Sequence, residues 1–153
     1  MRPVFIAGTY ATAVAEHWDR SALSLANEAL HGALQASGTP TIGALYVANA
    51  MGAALGLQSN LAPAIAHAAG LTGIETLSID AGGAAGGMAI RQAMLAVASG
   101  MYDTVAVVGV EKVSDVLDAR REAAVALLSD GDWEAIHGVT LTSQWAMLMR
   151  KYM

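Results

Sequence analysis

No cysteine occurs anywhere in the 153 residues, which excludes disulfides and thiolate metal centres from the outset. Charge is scarce too: 14% of residues are Asp, Glu, Lys or Arg, against about 25% in an ordinary domain. Residues 29–74 carry none at all. Basic side chains number 8 against 13 acidic ones, and no basic cluster exceeds Arg120–Arg121, so the electrostatic footprint of a nucleic-acid binder is missing. An uninterrupted apolar run is also lacking. A membrane-spanning helix needs about 20 consecutive, mainly apolar residues, whereas Gln35, Ser37, Pro40, Asn49, Gln58, Ser59, Asn60 and Pro63 break every candidate window. The four histidines are scattered without ligand spacing, so no metal site is expected. What is present is 55% hydrophobic, far above the composition of a disordered chain. A globular protein with so little charge to coat it is expected to bury surface against a partner. At the amino terminus, Gly8, Thr9, Tyr10 and Thr12 interrupt the only stretch that could mimic a signal peptide, which leaves the cytoplasm as the expected compartment.

Along the chain, apolar runs and helical periodicities alternate. Pro3–Ala7 reads as a strand buried on both faces. Asp19 or Ser21 can cap a helix reaching about Ser37, with Leu23, Ala26, Leu30, Ala33 and Leu34 at helical spacing and Gly38 as the stop. Ile42–Val47 predicts a second strand, Leu61–Ala69 a helix, Glu75–Ile79 a third strand, and Thr104–Val108 a fourth. Between the last two, a glycine-rich turn at 81–87 opens a helix to about Ser99. The order βαβαβαβ predicts an α/β fold: a mostly parallel sheet with helices on both faces and right-handed crossovers. Beyond Asp115 the pattern changes to an alanine-rich charged stretch, a turn at 130–132, and an amphipathic helix over Leu141–Met153. The division expected is residues 1–114 as the α/β unit and 115–153 as the start of a covering region.

The sequence IDAGGAAGG carries the chemistry. A strand that runs through glycines into a helix presents free backbone amides and the positive end of a helix dipole, which favour an anion, an oxyanion or a thiolate. Gly82, Gly83, Gly86 and Gly87 allow close approach of a ligand or of another backbone. The pattern is neither a P-loop, for want of Lys and Ser/Thr, nor a GxGxxG dinucleotide turn. On these residues alone a packing turn and a ligand site both remain open.

The segment SIDAGGAAGGMAIRQAMLAVASGMYDTVAVVGVEKVSD, residues 78–115, resembles the thiolase superfamily, and within it the archaeal and sterol-carrier-type thiolase-like proteins. VFIAG at 4–8, ALYVAN at 44–49, AGLTGI at 69–74, DWEAIHGVTL at 132–141 and WAMLMRKYM at 145–153 extend the resemblance over the whole chain. It implies the amino-terminal half of a thiolase-like fold and a CoA thioester as substrate, with no tightly bound cofactor. It also implies that the nucleophilic cysteine of the family falls at Gly83. Glycine cannot attack a thioester, and no other cysteine can take over. The amides of Gly83 and Ala84 are expected to keep the oxyanion-binding part of the site, a device worth about 2.7–4 kcal/mol per donor in enzymes that use it. His137, Gly138 and Val139 fall where the resemblance places a substrate-lining loop.

Other residues invite plainer readings. His67 lies between alanines on an apolar helix and reads as a structural histidine. Glu111 and Lys112, in GVEK, read as a structural contact at the floor of the site, and Asp80 as an acceptor for local amides. Arg91 reads as a surface or interface charge. Trp133 and Trp145 read as hydrophobic anchors against a partner.

The resemblance also implies partners. The first half-domain of the fold is completed by a strand lying after the loop region, so the expected partner is a complementary thiolase carboxy-terminal half that supplies the catalytic His and Cys motifs. Dimerisation through the third strand and the glycine-rich turn is expected as well. The reading is a thiolase-like subunit of acyl-CoA metabolism without its nucleophile, framing the pocket of a hetero-oligomer. A non-catalytic or degenerate scaffold is one alternative. A subunit of a CoA-thioester aldolase, working with an OB-fold and zinc-ribbon protein, is another.

Overall fold

Ser21 and Gly38 bracket the first helix as their chemistry dictates. In the computed structural model, which describes residues 2–39 and 41–153, α1 runs Ala22–Ser37. The Ser21 side chain accepts from the Ser24 N–H, and Gly38 closes the helix at φ 64°, a left-handed conformation that glycine adopts without penalty. The elements that follow are β1 (Ala44–Ala48), α2 (Gly52–Leu55), α3 (Leu61–Ala68), β2 (Glu75–Ile79), a 3-10 turn at Gly82–Ala84, α4 (Ala85–Ala98), β3 (Val105–Gly109), α5 (Asp118–Ala126), a second 3-10 turn at Ala135–His137 and α6 (Leu141–Tyr152).

The three strands form one parallel sheet in the order β2-β1-β3. Ala44 pairs with Glu75 on one side and with Val105 on the other. All five residues of β1 are buried, as a central strand covered on both faces requires. The strand period of two sorts them. Leu45 and Val47 join Ala26, Leu30, Leu61, Ile65 and Val108 beneath α1 and α3. Ala44, Tyr46 and Ala48 face α4, where Ala96, Ala85 and Ala89 allow the helix to lie close. Ile65 is fully buried, so truncating it to Ala costs about 2–5 kcal/mol.

One sequence expectation changes. Pro3–Ala7 is not a strand: it pairs with no other strand, and Phe5 is 83% and Ile6 81% exposed. The sheet therefore has three strands rather than four. The physical reason is that an apolar run makes a strand only where a neighbouring edge accepts it, and the segment's neighbours are held elsewhere by side chains. Arg2 donates to the Val97 carbonyl at 2.5 Å, to the Tyr102 carbonyl, and to Asp103 at 2.8 Å. Gly8 then passes so near α1 that a Cβ there would lie 2.5 Å from the Ser37 nitrogen, and the Tyr10 ring covers Gly32. Further along, Lys112 Nζ donates to the His17 carbonyl at 2.8 Å and to the Arg20 carbonyl, and pairs with Asp115 at 2.5 Å.

The expected amphipathic helix exists as α6, capped reciprocally by Thr140 and Ser143, but none of its residues is buried. Its apolar side chains stay largely exposed, Trp145 at 65% and Met149 at 64%. No described helix is long and apolar enough to cross a membrane.

Candidate functional site at the carboxyl end of the sheet

Parallel strands deliver their following loops to one end of the sheet, where α/β proteins place ligands. Here β1 leads to Asn49, β2 to Asp80 and the glycine-rich turn, and β3 to Val110–Lys112. Asn49 fastens the three together. Its N–H donates to the Ile79 carbonyl at 3.2 Å. Its side-chain nitrogen donates to the Val110 carbonyl at 2.8 Å and to Glu111 Oε1 at 3.1 Å, while its side-chain oxygen accepts from the Gly52 N–H at 2.7 Å. Glu111 Oε2 accepts from the N–H groups of Ala50 and Met51, each at 3.0 Å. A carboxylate thus satisfies amides at the start of the short α2, where negative charge also suits the helix dipole. The structural contact expected of Glu111 is present. Asn49 is the residue that sequence reasoning missed; the signal was an Asn at the end of a buried strand, three residues before a helical Gly.

The turn itself is held from below. Asp80 Oδ1 accepts from the Gly82 N–H at 3.0 Å, and Gly82 sits at φ 54°, a left-handed conformation that favours glycine. Ala84 donates its N–H to the Ala81 carbonyl at 3.0 Å, closing the 3-10 turn. That amide, expected to face a ligand, is therefore occupied in this structure. The Gly83 N–H has no hydrogen-bond partner among the described residues. A Cβ built on Gly83 would meet nothing within 4 Å, so the position is exposed, unobstructed, and immediately ahead of α4. Leu128, past the end of α5, comes within 3.5 Å of a Cβ built on Gly82, which brings the covering region over the turn.

His137, Gly138 and Val139 close the second 3-10 turn: the Gly138 N–H bonds to the Ala135 carbonyl at 3.0 Å, and the Val139 N–H to the Glu134 carbonyl at 3.1 Å. His137 is exposed. Among the described residues no hydrogen bond joins this loop to the glycine-rich turn. Two clefts open nearby. One, of about 270 Å³, lies between the ends of β1 and β2 and is lined by Asn49, Gln58, Ser59, Ser78 and Asp80. The other, of about 200 Å³, separates residues 12–17 from α1 and the end of β3. Neither of these two clefts is lined by Gly83, Ala84 or His137–Val139.

His67 and Arg91 are exposed on α3 and α4, and Trp133 is 80% exposed. Toward the opposite end of the sheet, Glu75 at the start of β2 accepts from two tyrosines, Tyr46 at 2.9 Å and Tyr102 at 3.0 Å. Burial first, and then the hydrogen bond to the carboxylate, push the Tyr46 phenol up to about 12. The bond to Glu75 also raises Tyr102.

A parallel sheet whose edge strand feeds a glycine-rich turn and a close-packed helix defines an α/β protein built for loops at one end. The solved structure of 3-oxoacyl-(acyl carrier protein) synthase III, FabH, from Pseudomonas aeruginosa PAO1 shares this fold, at a TM-score of 0.56 and 23% identity over 70% of this chain and 34% of its own. Residues 4–153 match the family described as thiolase, N-terminal domain, and the chain belongs to that family. It is similar over its whole length to two archaeal proteins named acetyl-CoA acetyltransferase. Identity is 39% to that of Methanothermobacter thermautotrophicus and 42% to that of Methanocaldococcus jannaschii. The chain spans 40% and 39% of their respective lengths.

Proposed function

We propose that this chain is a thiolase-like component of acyl-CoA metabolism that frames a thioester site without supplying the nucleophile. The observation carrying the reading is Gly83: an unobstructed position with an N–H unpartnered among the described residues at the entrance of α4, where the resemblance implies the family's nucleophilic cysteine. Its amide offers a donor to a thioester carbonyl, and the attacking group and proton-transfer groups come from a complementary chain equivalent to the rest of the archaeal relatives. The exposed edge of β2 and the uncovered α4 side chains Met88, Ile90 and Met94 support a dimer contact through the third predicted strand and the glycine-rich turn.

The test is to mix the purified chain with the part of the M. thermautotrophicus relative that it does not span, then to measure acetyl-CoA binding calorimetrically and acylation by intact mass. The expected result is binding by the mixture and no acyl adduct on this chain. An acyl adduct on this chain, or turnover by it alone, would overturn the reading.

A further inference from the structure

All 13 acidic side chains lie before residue 29 or after residue 74, and so do all 8 basic ones. At the average frequency a stretch of this length would carry about eleven charges. Part of it is interior, since β1 is buried along its whole length. The rest reaches the surface. α1 and α3 lie together over one face of the sheet, so their exposed residues share an outer surface: His31, Gln35 and Ala36 from the second half of α1, and His67 and Ala68 from α3. The outward side of a surface helix ordinarily carries charge. Here it carries amide, methyl and imidazole groups, and the two histidines are the only side chains in the stretch that can take up a proton and become charged.

We infer that this outer surface of α1 and α3 docks a second copy of the chain, and that protonation of His31 and His67 releases it. The occupant follows from charge. The chain carries a net charge of −5, so copies that meet through surfaces holding the acidic residues repel each other, whereas two α1–α3 surfaces bring no such pair together. The contact is isologous, so each histidine enters it twice, and protonation sets like charges against one another in a desolvated place. The acidic groups nearby are engaged elsewhere. Glu28, on α1 itself, is held by Arg20 and Tyr10. Among the strands packed against the two helices, β1 and β3 contain no Asp, Glu, Lys, Arg or His, and Glu75 of β2 accepts from Tyr46 and Tyr102. The segment ahead of α1 adds Glu16, which accepts from Trp18, with His17, Asp19 and Arg20. This surface is separate from the β2 edge and the glycine-rich turn, and the inference does not depend on the complementary chain.

The experiment is sedimentation equilibrium of the full chain. Self-association is expected at about pH 8, with a dissociation constant at least tenfold higher at about pH 5. A variant carrying both His31→Gln and His67→Gln should still associate and lose most of that pH dependence. Ala68→Lys, an exposed change at the end of α3, puts two like charges into the contact and should weaken association at least tenfold at the higher pH. Because the chain has no cysteine, Ala68→Cys supplies a unique thiol, and its alkylation at the higher pH should slow at least tenfold between dilute and associated protein. A chain that stays monomeric at the higher pH overturns the inference. Association that leaves this thiol unprotected also overturns it, because the contact then lies on another surface, the β2 edge included. Full pH dependence in the double histidine variant overturns the release by protonation. If Ala68→Lys does not fold, thiol protection decides the position of the contact alone.

Discussion

The side-chain nitrogen of Asn49 lies 3.1 Å from Glu111 Oε1, across 62 residues of sequence, and through this contact the loops after β1 and β3 are held as one piece. Asn49 also reaches Val110 and Gly52, and Glu111 reaches the amides of Ala50 and Met51. Because the same Asn49 backbone bonds to Ile79, the strand that leads into the glycine-rich turn is included. The two residues should therefore behave as a unit. In urea denaturation, Asn49→Ala and Glu111→Ala are each expected to cost about 1–3 kcal/mol, since each strands backbone amides or breaks bonds to a charged acceptor. The double variant should cost at least about 0.5 kcal/mol less than their sum. Strict additivity would show that the contact couples nothing.

Gly83→Cys should fold normally. Open space surrounds the position, and its φ lies outside the left-handed range, so the change in stability is expected within about 0.5 kcal/mol. At the entrance of α4 the new thiol should titrate below its usual value of about 8.5, as measured by the pH dependence of its alkylation rate. A value at or above 8.5 would show that the turn does not favour an anion. Gly82→Ala, by contrast, forces a side chain onto a φ of 54° and should cost about 1 kcal/mol or more.

Tyr46 sets an alkaline limit. Its folded-state value of about 12 lies above the unfolded 10.0, so the native state holds the phenolic proton more tightly. Stability from this group is complete below pH 10 and declines as pH rises from 10 toward 12. At about 1.4 kcal/mol per unit, the loss amounts to about 2–3 kcal/mol. Tyr46→Phe should flatten the decline over this window in pH-dependent urea melts; an unchanged slope would assign it elsewhere.

Lys112 is only 9% exposed and reaches His17, Arg20 and Asp115. Lys112→Met removes the donor to two carbonyls and leaves Asp115 unpaired. Residues 9–20 should then become the first site of limited proteolysis, with a global loss of about 1–3 kcal/mol. Cleavage elsewhere first, at wild-type rate in this segment, would show that the lysine does not hold it.

Where local chemistry decides, the fold was legible in the sequence. Ser21 and Gly38 mark α1 because a cap and a left-handed stop are properties of single residues, and Glu75–Ile79 is β2 at the bounds its β-branched and apolar residues indicate. Pro3–Ala7 carries an equally good strand pattern and is not one, since pairing depends on an edge that the segment does not occupy. The four-residue α2 was hidden for a related reason: its start is held by Glu111, whose carboxylate arrives from after β3. In the candidate site, Asp80 and the glycines could be read from spacing. The engagement of the Ala84 amide within its own turn could not, because it depends on the backbone path between Ala81 and Ala84.

Arg2 is pinned beside Ala98, Tyr102 and Asp103, at the far end of α4 from Gly83. Fourteen helical residues separate those ends, a span of about 20 Å at 1.5 Å per residue. A dye coupled near Arg2 and another at Gly83→Cys would therefore form a ruler along α4, and a tether attached at that end would hold the protein with its glycine-rich turn facing away from the support.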